Sequence, residues 1–145
     1  MQPTPKLNIS LSEITIRPIT EQDNAAIANV IRKTLEEFGA NHEGTVYYDA
    51  VTDSLYQLFS KTPGSIYYVA LHQNNVVGGG GIFPSEGLPA DTCELVKMYL
   101  LPQVRGIGLG KQLIENAIDF SSHSMRRGLA KASRRFTKFV FPLSG

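Results

Sequence analysis

Three glycines alternate with apolar residues in Gly106-Ile107-Gly108-Leu109-Gly110, with Arg105 in front and Lys111 behind. The preceding segment Cys93–Leu101 reads as an apolar strand. Pro102–Arg105 reads as a turn, and Ile107–Phe120 as a helix with Leu109, Leu113, Ile114 and Ile118 inward. Amides in the first turn of that helix have no helical partner and point back toward the incoming chain. With the helix dipole they make an anion site. Glycine lets a phosphate come close to the backbone, and Arg105 and Lys111 add positive charge at the rim. The pattern predicts pyrophosphate binding.

Local detail excludes two common phosphate loops. A Walker loop needs Gly-Lys-Ser/Thr, but Gly110-Lys111 is followed by Gln112, which has no hydroxyl for magnesium. A dinucleotide fingerprint needs Gly-x-Gly-x-x-Gly, and the spacing here is one residue short at the third glycine. A bare strand-to-helix turn is the plainer alternative. Three alternating glycines exceed what such a turn requires.

The segment Gln103-Val104-Arg105-Gly106-Ile107-Gly108 resembles the signature loop of the GNAT superfamily of acetyl-coenzyme A-dependent N-acyltransferases, Gln/Arg-x-x-Gly-x-Gly/Ala. The order of elements from Glu13 to Phe120 is similar as well. The resemblance implies an α/β (α+β mixed) fold: a twisted, mainly antiparallel mixed sheet flanked by helices, here with an abbreviated C-terminal half. It also implies acetyl transfer from acetyl-coenzyme A, as co-substrate and without a metal, to a primary amine of a small molecule or peptide. By the same resemblance, the backbone amides of Arg105, Gly106, Ile107, Gly108, Leu109, Gly110 and Lys111 bind the pyrophosphate. The backbone at Met98, Tyr99 and Leu100 pairs with the pantetheine arm. Several family members place a glutamate where Glu94 stands, which makes Glu94 the candidate catalytic base. An amide near Met98 is the candidate donor to the oxyanion. A solvated or salt-bridged strand residue is the competing reading of Glu94.

Elements upstream must position these groups. Glu13–Pro18 alternates like a strand, and Thr20-Glu21-Gln22-Asp23 is a helix-start signal with Thr20 as the capping acceptor. Ile27, Val30, Ile31, Leu35 and Phe38 follow at helical spacing, and Gly39 is a natural stop. Tyr48–Ser60 predicts a second helix with Val51, Leu55, Leu58 and Phe59 inward. Ser65–Leu71 and Val76–Phe83 predict two strands joined by Gln73-Asn74-Asn75. Glycines at 78–81 weaken a strand and suggest a bulge or a close neighbour. Lys97 and Tyr99 read as alternating exposed scaffold on one strand face, with Tyr99 as a candidate for the acceptor pocket. Tyr47, Tyr48 and the loop Gly39–Thr45, with His42 and Glu43, are the other acceptor-side candidates.

The 145 residues suit one domain, and 42% hydrophobic residues suit a folded core. Polar Met1–Leu11 reads as a flexible arm of a cytoplasmic protein, residues 12–121 as the acetyltransferase-like domain and 122–145 as a tail. Cys93 is the only cysteine, which excludes an intrachain disulfide, and the three histidines lack metal-ligand spacing. Net charge is −5 over residues 1–120 and +6 over 121–145, which contain no acid. No strand matching the family's next element is expected in the tail. Leu129, Ala132, Phe136, Phe139 and Val140 instead suggest a partly amphipathic helix. The tail admits three readings: a foreign or frameshifted end, a basic segment for nucleic acid or an acidic partner, or a substitute cover for the sheet edge. Two alternatives to the enzyme follow, a degenerate acyl-coenzyme A-binding domain without turnover and a binding protein acting through the tail. Nucleic acid and membrane are not expected partners, and a homodimer is allowed.

Overall fold

One sheet holds five strands as neighbours in chain order: β1 (Ile14–Pro18), β2 (Ile66–His72), β3 (Asn75–Phe83), β4 (Thr92–Leu100) and β5 (Arg135–Phe139). The computed structural model describes residues 8–43, 45–84, 92–126 and 135–139. The expected N-terminal arm up to residue 7, the loop 85–91 and the tail stretches 127–134 and 140–145 lie outside these. The first four strands are antiparallel, and β5 is parallel to β4. A parallel neighbour needs a crossover, which α3 (Leu109–Arg126) contributes.

Both sheet faces are covered, so the strands are apolar on both sides. In β2, Tyr67, Val69 and Leu71 face one way with α1 (Asn24–Glu37) and α2 (Leu55–Ser60); Ile66, Tyr68 and Ala70 face α3. α1 buries Ile27, Val30, Ile31, Thr34 and Leu35, an i, i+3, i+4 stripe. α3 buries Leu109, Leu113 and Ala117, while Ile118, expected inward, is only part-buried. Gln73 and Asn74 turn the β2–β3 hairpin at φ 50° and 66°, the left-handed pair that a two-residue turn needs.

Thr20 and Asp23 form a capping box before α1, with Asp23 as its hub. Its carboxylate accepts from the Thr20 amide (2.7 Å) and hydroxyl (3.0 Å), and takes both terminal nitrogens of Arg17 (2.7 and 3.1 Å). Burial alone would raise the carboxyl's pKa; the bonds from Arg17 and Thr20 outweigh it and hold the pKa below the usual value. A depressed carboxylate stabilises the fold above its unfolded pKa of about 4 and loses that contribution as pH falls through the folded value. Asp23→Asn should cost about 1–2 kcal/mol at neutral pH, since the half-open Arg17 is screened by solvent. The deficit should vanish in acid, as read from urea melts at pH 7 and pH 2.5.

Three expectations need correction. The predicted second helix Tyr48–Ser60 is two 3-10 turns, Val46–Tyr48 and Ala50–Ser54, followed by α2. The Asp49 side chain accepts from the Val51 amide, and Ser54 leaves helical geometry at φ −138°. Val51 is exposed, while Leu55 and Phe59 are buried. Phe38 is also exposed, because the helix has already ended and the chain turns at Gly39 with φ 71°. Finally, the tail holds a strand where none was expected. Phe136, Thr137 and Phe139 are β-favouring types, and an open edge of β4 offers backbone partners, which outweighs the helical spacing.

Candidate active site

The ladder between β3 and β4 is broken at one place. Gly79 pairs with Tyr99 and Gly81 with Val96, so Gly80 alone faces both Lys97 and Met98. This is a β-bulge with one extra residue in β4. Lys97 takes φ 53°, a left-handed conformation that costs a side-chain-bearing residue about 1–2 kcal/mol. The bulge is pinned by Tyr67, whose hydroxyl donates to the Lys97 carbonyl at 2.8 Å. Burial, first, and then Tyr99 push the Tyr67 phenol's pKa far up, so it remains a donor.

The glycine run follows from this arrangement. A Cβ on Gly79 would lie 2.7 Å from the Tyr67 ring and hydroxyl, and one on Gly80 would lie 2.8 Å from the Met98 methyl. The extra residue also reverses which residues face which helix. Leu95 faces α3 and Val96 faces α1; past the bulge Met98 and Leu100 face α3 and Tyr99 faces α1. Glu94, two residues before Val96, therefore shares the α1–α2 face with Tyr99, as strict alternation would not allow.

Beyond the bulge, the β5 edge of β4 is open among the described residues. β5 pairs with Thr92, Cys93 and Leu95 only. Leu101 donates to Val77 on the β3 side (2.9 Å), while the Leu100 carbonyl accepts from Arg105 Nε (3.0 Å). One acceptor position of Leu100 is thus filled, and the backbone from Val96 to Leu100 presents an unpaired strand edge.

The chain then enters the glycine loop. Arg105 spends its own amide on the Pro102 carbonyl at 3.3 Å. Among the described residues, the amides from Gly106 to Lys111 donate to no backbone carbonyl, and the first helical bond is Gln112 to Gly108 at 3.0 Å. The open donors therefore begin at Gly106, not at Arg105. Gly106 and Gly108 sit at φ 77° and 90°, where a side chain is strained. A Cβ on Gly106 would meet nothing within 4 Å, so space is open above the loop.

The Arg105 side chain is not the free rim cation expected from sequence. It forms a two-pronged pair with Glu37 at 2.7 Å on both arms and lies 5.5 Å from the centre of the Phe38 ring. The guanidinium lowers the Glu37 pKa by hydrogen bonding. This ties the loop to the end of α1 across 68 residues of sequence. Lys111 is exposed at the helix start.

On the α1–α2 side, Tyr47 is committed. Its hydroxyl donates to Glu36 (2.8 Å) and its carbonyl accepts from Arg32 (3.0 Å), whose other nitrogens grip Asp53 (2.6 and 3.0 Å). Tyr48 packs edge-on against Tyr47 and is exposed. Tyr99 is buried, and burial raises its phenol pKa. His42 and Glu43 lie on the exposed loop. Lys97, expected as exposed scaffold, is half-buried at the bulge, which only the register reveals. Burial holds its ammonium's pKa below the usual lysine value, with Asp49 opposing.

An open edge on β4, a bulge in the same strand and a run of open amides at a helix start thus follow one another along the chain. Comparison with known proteins decides the family. The sequence profile of the acetyltransferase (GNAT) family matches residues 28–138. The chain belongs to the acetyltransferase (GNAT) family. It is an acyltransferase. The matched region runs through the glycine loop and into β5.

The acetyltransferase is 45% identical over 113 residues to the uncharacterized N-acetyltransferase YjgM of Escherichia coli (strain K12), covering 77% of this chain and 67% of the relative. Its fold is shared with a GNAT-family acetyltransferase from Staphylococcus aureus Mu50 at TM-score 0.65 and 15% identity, over 77% of this chain and 68% of that one. An acetyltransferase from Clostridium acetobutylicum, solved with acetyl-CoA, matches at TM-score 0.60 and 13% identity, over 89% and 80% of the two chains. Among the described residues, no helix is long and apolar enough to cross a membrane, and no group of three or more His, Cys, Asp or Glu could hold a metal ion.

Proposed function

We propose that this acetyltransferase moves the acetyl group of acetyl-coenzyme A to a primary amine of a small molecule or peptide by direct attack. The observation that carries this reading is the β4 bulge beside an unpaired strand edge that leads straight into six open amides. The diphosphate of the co-substrate occupies the amides of Gly106, Ile107, Gly108, Leu109, Gly110 and Lys111. The pantetheine amides lie along Met98, Tyr99 and Leu100 as an added strand. The thioester then rests at the bulge, where a backbone amide freed from the ladder can face its carbonyl oxygen.

The amine attacks from the α1–α2 face and gives up a proton toward the Glu94 carboxylate. Its nitrogen bonds to the carbonyl carbon, and the oxyanion takes the freed amide as donor. Collapse breaks the C–S bond, and the coenzyme thiolate leaves with the second proton that the amine nitrogen gives up. No covalent enzyme intermediate is needed. Similarity to acetyltransferases solved with acetyl-CoA or coenzyme A supports this co-substrate.

Free thiol released from acetyl-coenzyme A, measured over a broad panel of primary amines, tests the reading. Amine-dependent release supports transfer. Tight coenzyme binding with no release from any amine would leave a binding domain instead. Arg105 acts here as a positioning residue, holding the loop to Glu37. Glu37→Ala should raise KM for acetyl-coenzyme A about tenfold and leave kcat within about twofold, by initial-rate kinetics.

A further inference from the structure

We propose that the acceptor amine carries a carboxylate, and that the Lys97 ammonium binds it. This rests on the transfer reading above and names its substrate class.

Lys97 is the residue that the bulge sets apart. Its left-handed backbone would suit glycine or asparagine better, so the lysine is not explained by the turn it makes. Its backbone carbonyl accepts from the Tyr67 hydroxyl, which fixes the backbone from which the side chain extends. The side chain is half-buried, and the carboxylate whose field reaches it is Asp49, at the head of the second 3-10 turn between α1 and α2. Tyr67, which fixes the Lys97 backbone, packs on the α1–α2 side, the face shared by Glu94 and Tyr99.

Among the described residues, the other part-buried cations are paired. Arg17 holds Asp23, Arg32 holds Asp53 and Arg105 holds Glu37, each within 2.7 Å. Lys97 makes no ion pair among the described residues, and a half-buried cation without one is costly. An incoming carboxylate removes that cost. It would sit one residue from Met98, beside the proposed thioester position. Asp49, before the second 3-10 turn, and Glu94, on β4, are acids that attract the acceptor's ammonium. A cation with acids nearby suits an amine and a carboxylate in the same molecule.

The experiment compares the common amino acids, each beside its carboxamide, with the full chain and acetyl-coenzyme A. The carboxylate form should have a kcat/KM about 10- to 100-fold above its carboxamide. Lys97→Met, which keeps the stem and removes the charge, should erase that preference while coenzyme affinity by calorimetry stays within about twofold; Lys97→Arg should keep part of it. Equal use of both forms, or an equal loss for both in Lys97→Met, overturns the proposal. If no amine is turned over, the transfer reading falls separately. Calorimetric titration of the corresponding N-acetyl amino acids and their carboxamides into the coenzyme-loaded protein then decides the Lys97 claim. A carboxylate preference lost in Lys97→Met sustains it, and no preference ends it.

Discussion

Gly108→Glu should fold and lose coenzyme A binding by at least about 100-fold, or about 2.7 kcal/mol. Position 108 lies at φ 90° between open amides on both sides. A Cβ there would touch only Leu11, at an ordinary 3.9 Å, so the side chain fits. Its strain of about 1–2 kcal/mol is partly offset, because a carboxylate is favourable at the start of α3. That same carboxylate would fill the place of the diphosphate and repel it. Gly108→Asn tolerates a positive φ and carries no charge, so it should weaken binding by only about tenfold. Calorimetry on both variants, with thermal melts to confirm folding, separates the charge from the strain.

Gly81→Val should destabilise the fold by about 3 kcal/mol, a drop in Tm of roughly 10 °C. A Cβ at 81 runs into the Ile66 carbonyl and lies 2.8 Å from the Tyr67 ring. Neither can yield. The carbonyl belongs to the neighbouring strand, and the Tyr67 ring is fully buried, packs 5.2 Å from Phe59 and is tethered through its hydroxyl to Lys97. Gly39→Ala offers a control. Its φ is 71°, but a Cβ there meets nothing within 4 Å, so only the conformational cost of about 1 kcal/mol should appear. Because Gly81 pairs with Val96 beside the bulge, surviving Gly81→Val protein should also show reduced acetyl transfer.

The glycine loop was readable from sequence because its signal is local. Gly106 and Gly108 do occupy backbone that only glycine adopts cheaply, and α3 follows at once. At Gly110 the backbone does not demand glycine: it is helical, and a Cβ there would meet Leu100 at an ordinary 3.8 Å. The four-glycine run announced something unusual, but not what. Its cause lies across the ladder, in the extra residue of β4, and register is not written in either strand alone. Strict alternation puts Glu94 and Tyr99 on opposite faces, whereas the bulge groups Glu94, Val96 and Tyr99. The Arg105–Glu37 pair was invisible for a similar reason, since charge at a loop suggests a ligand until a partner far along the chain is placed beside it. In the tail, Phe136 and Phe139 at helical spacing misled, because an open strand edge rewards β-favouring residues whatever their period.

The central claim is that the amides from Gly106 to Lys111 hold the diphosphate while the open edge of β4 takes the pantetheine arm. Amide hydrogen exchange on the full chain, with and without saturating coenzyme A, tests both parts in one measurement. The account predicts slowed exchange at residues 106–111 and along the β5 side of Val96–Leu100, with Arg105 unchanged because its amide is already bonded to Pro102. Protection confined to other surfaces, or none at saturating coenzyme, would contradict it.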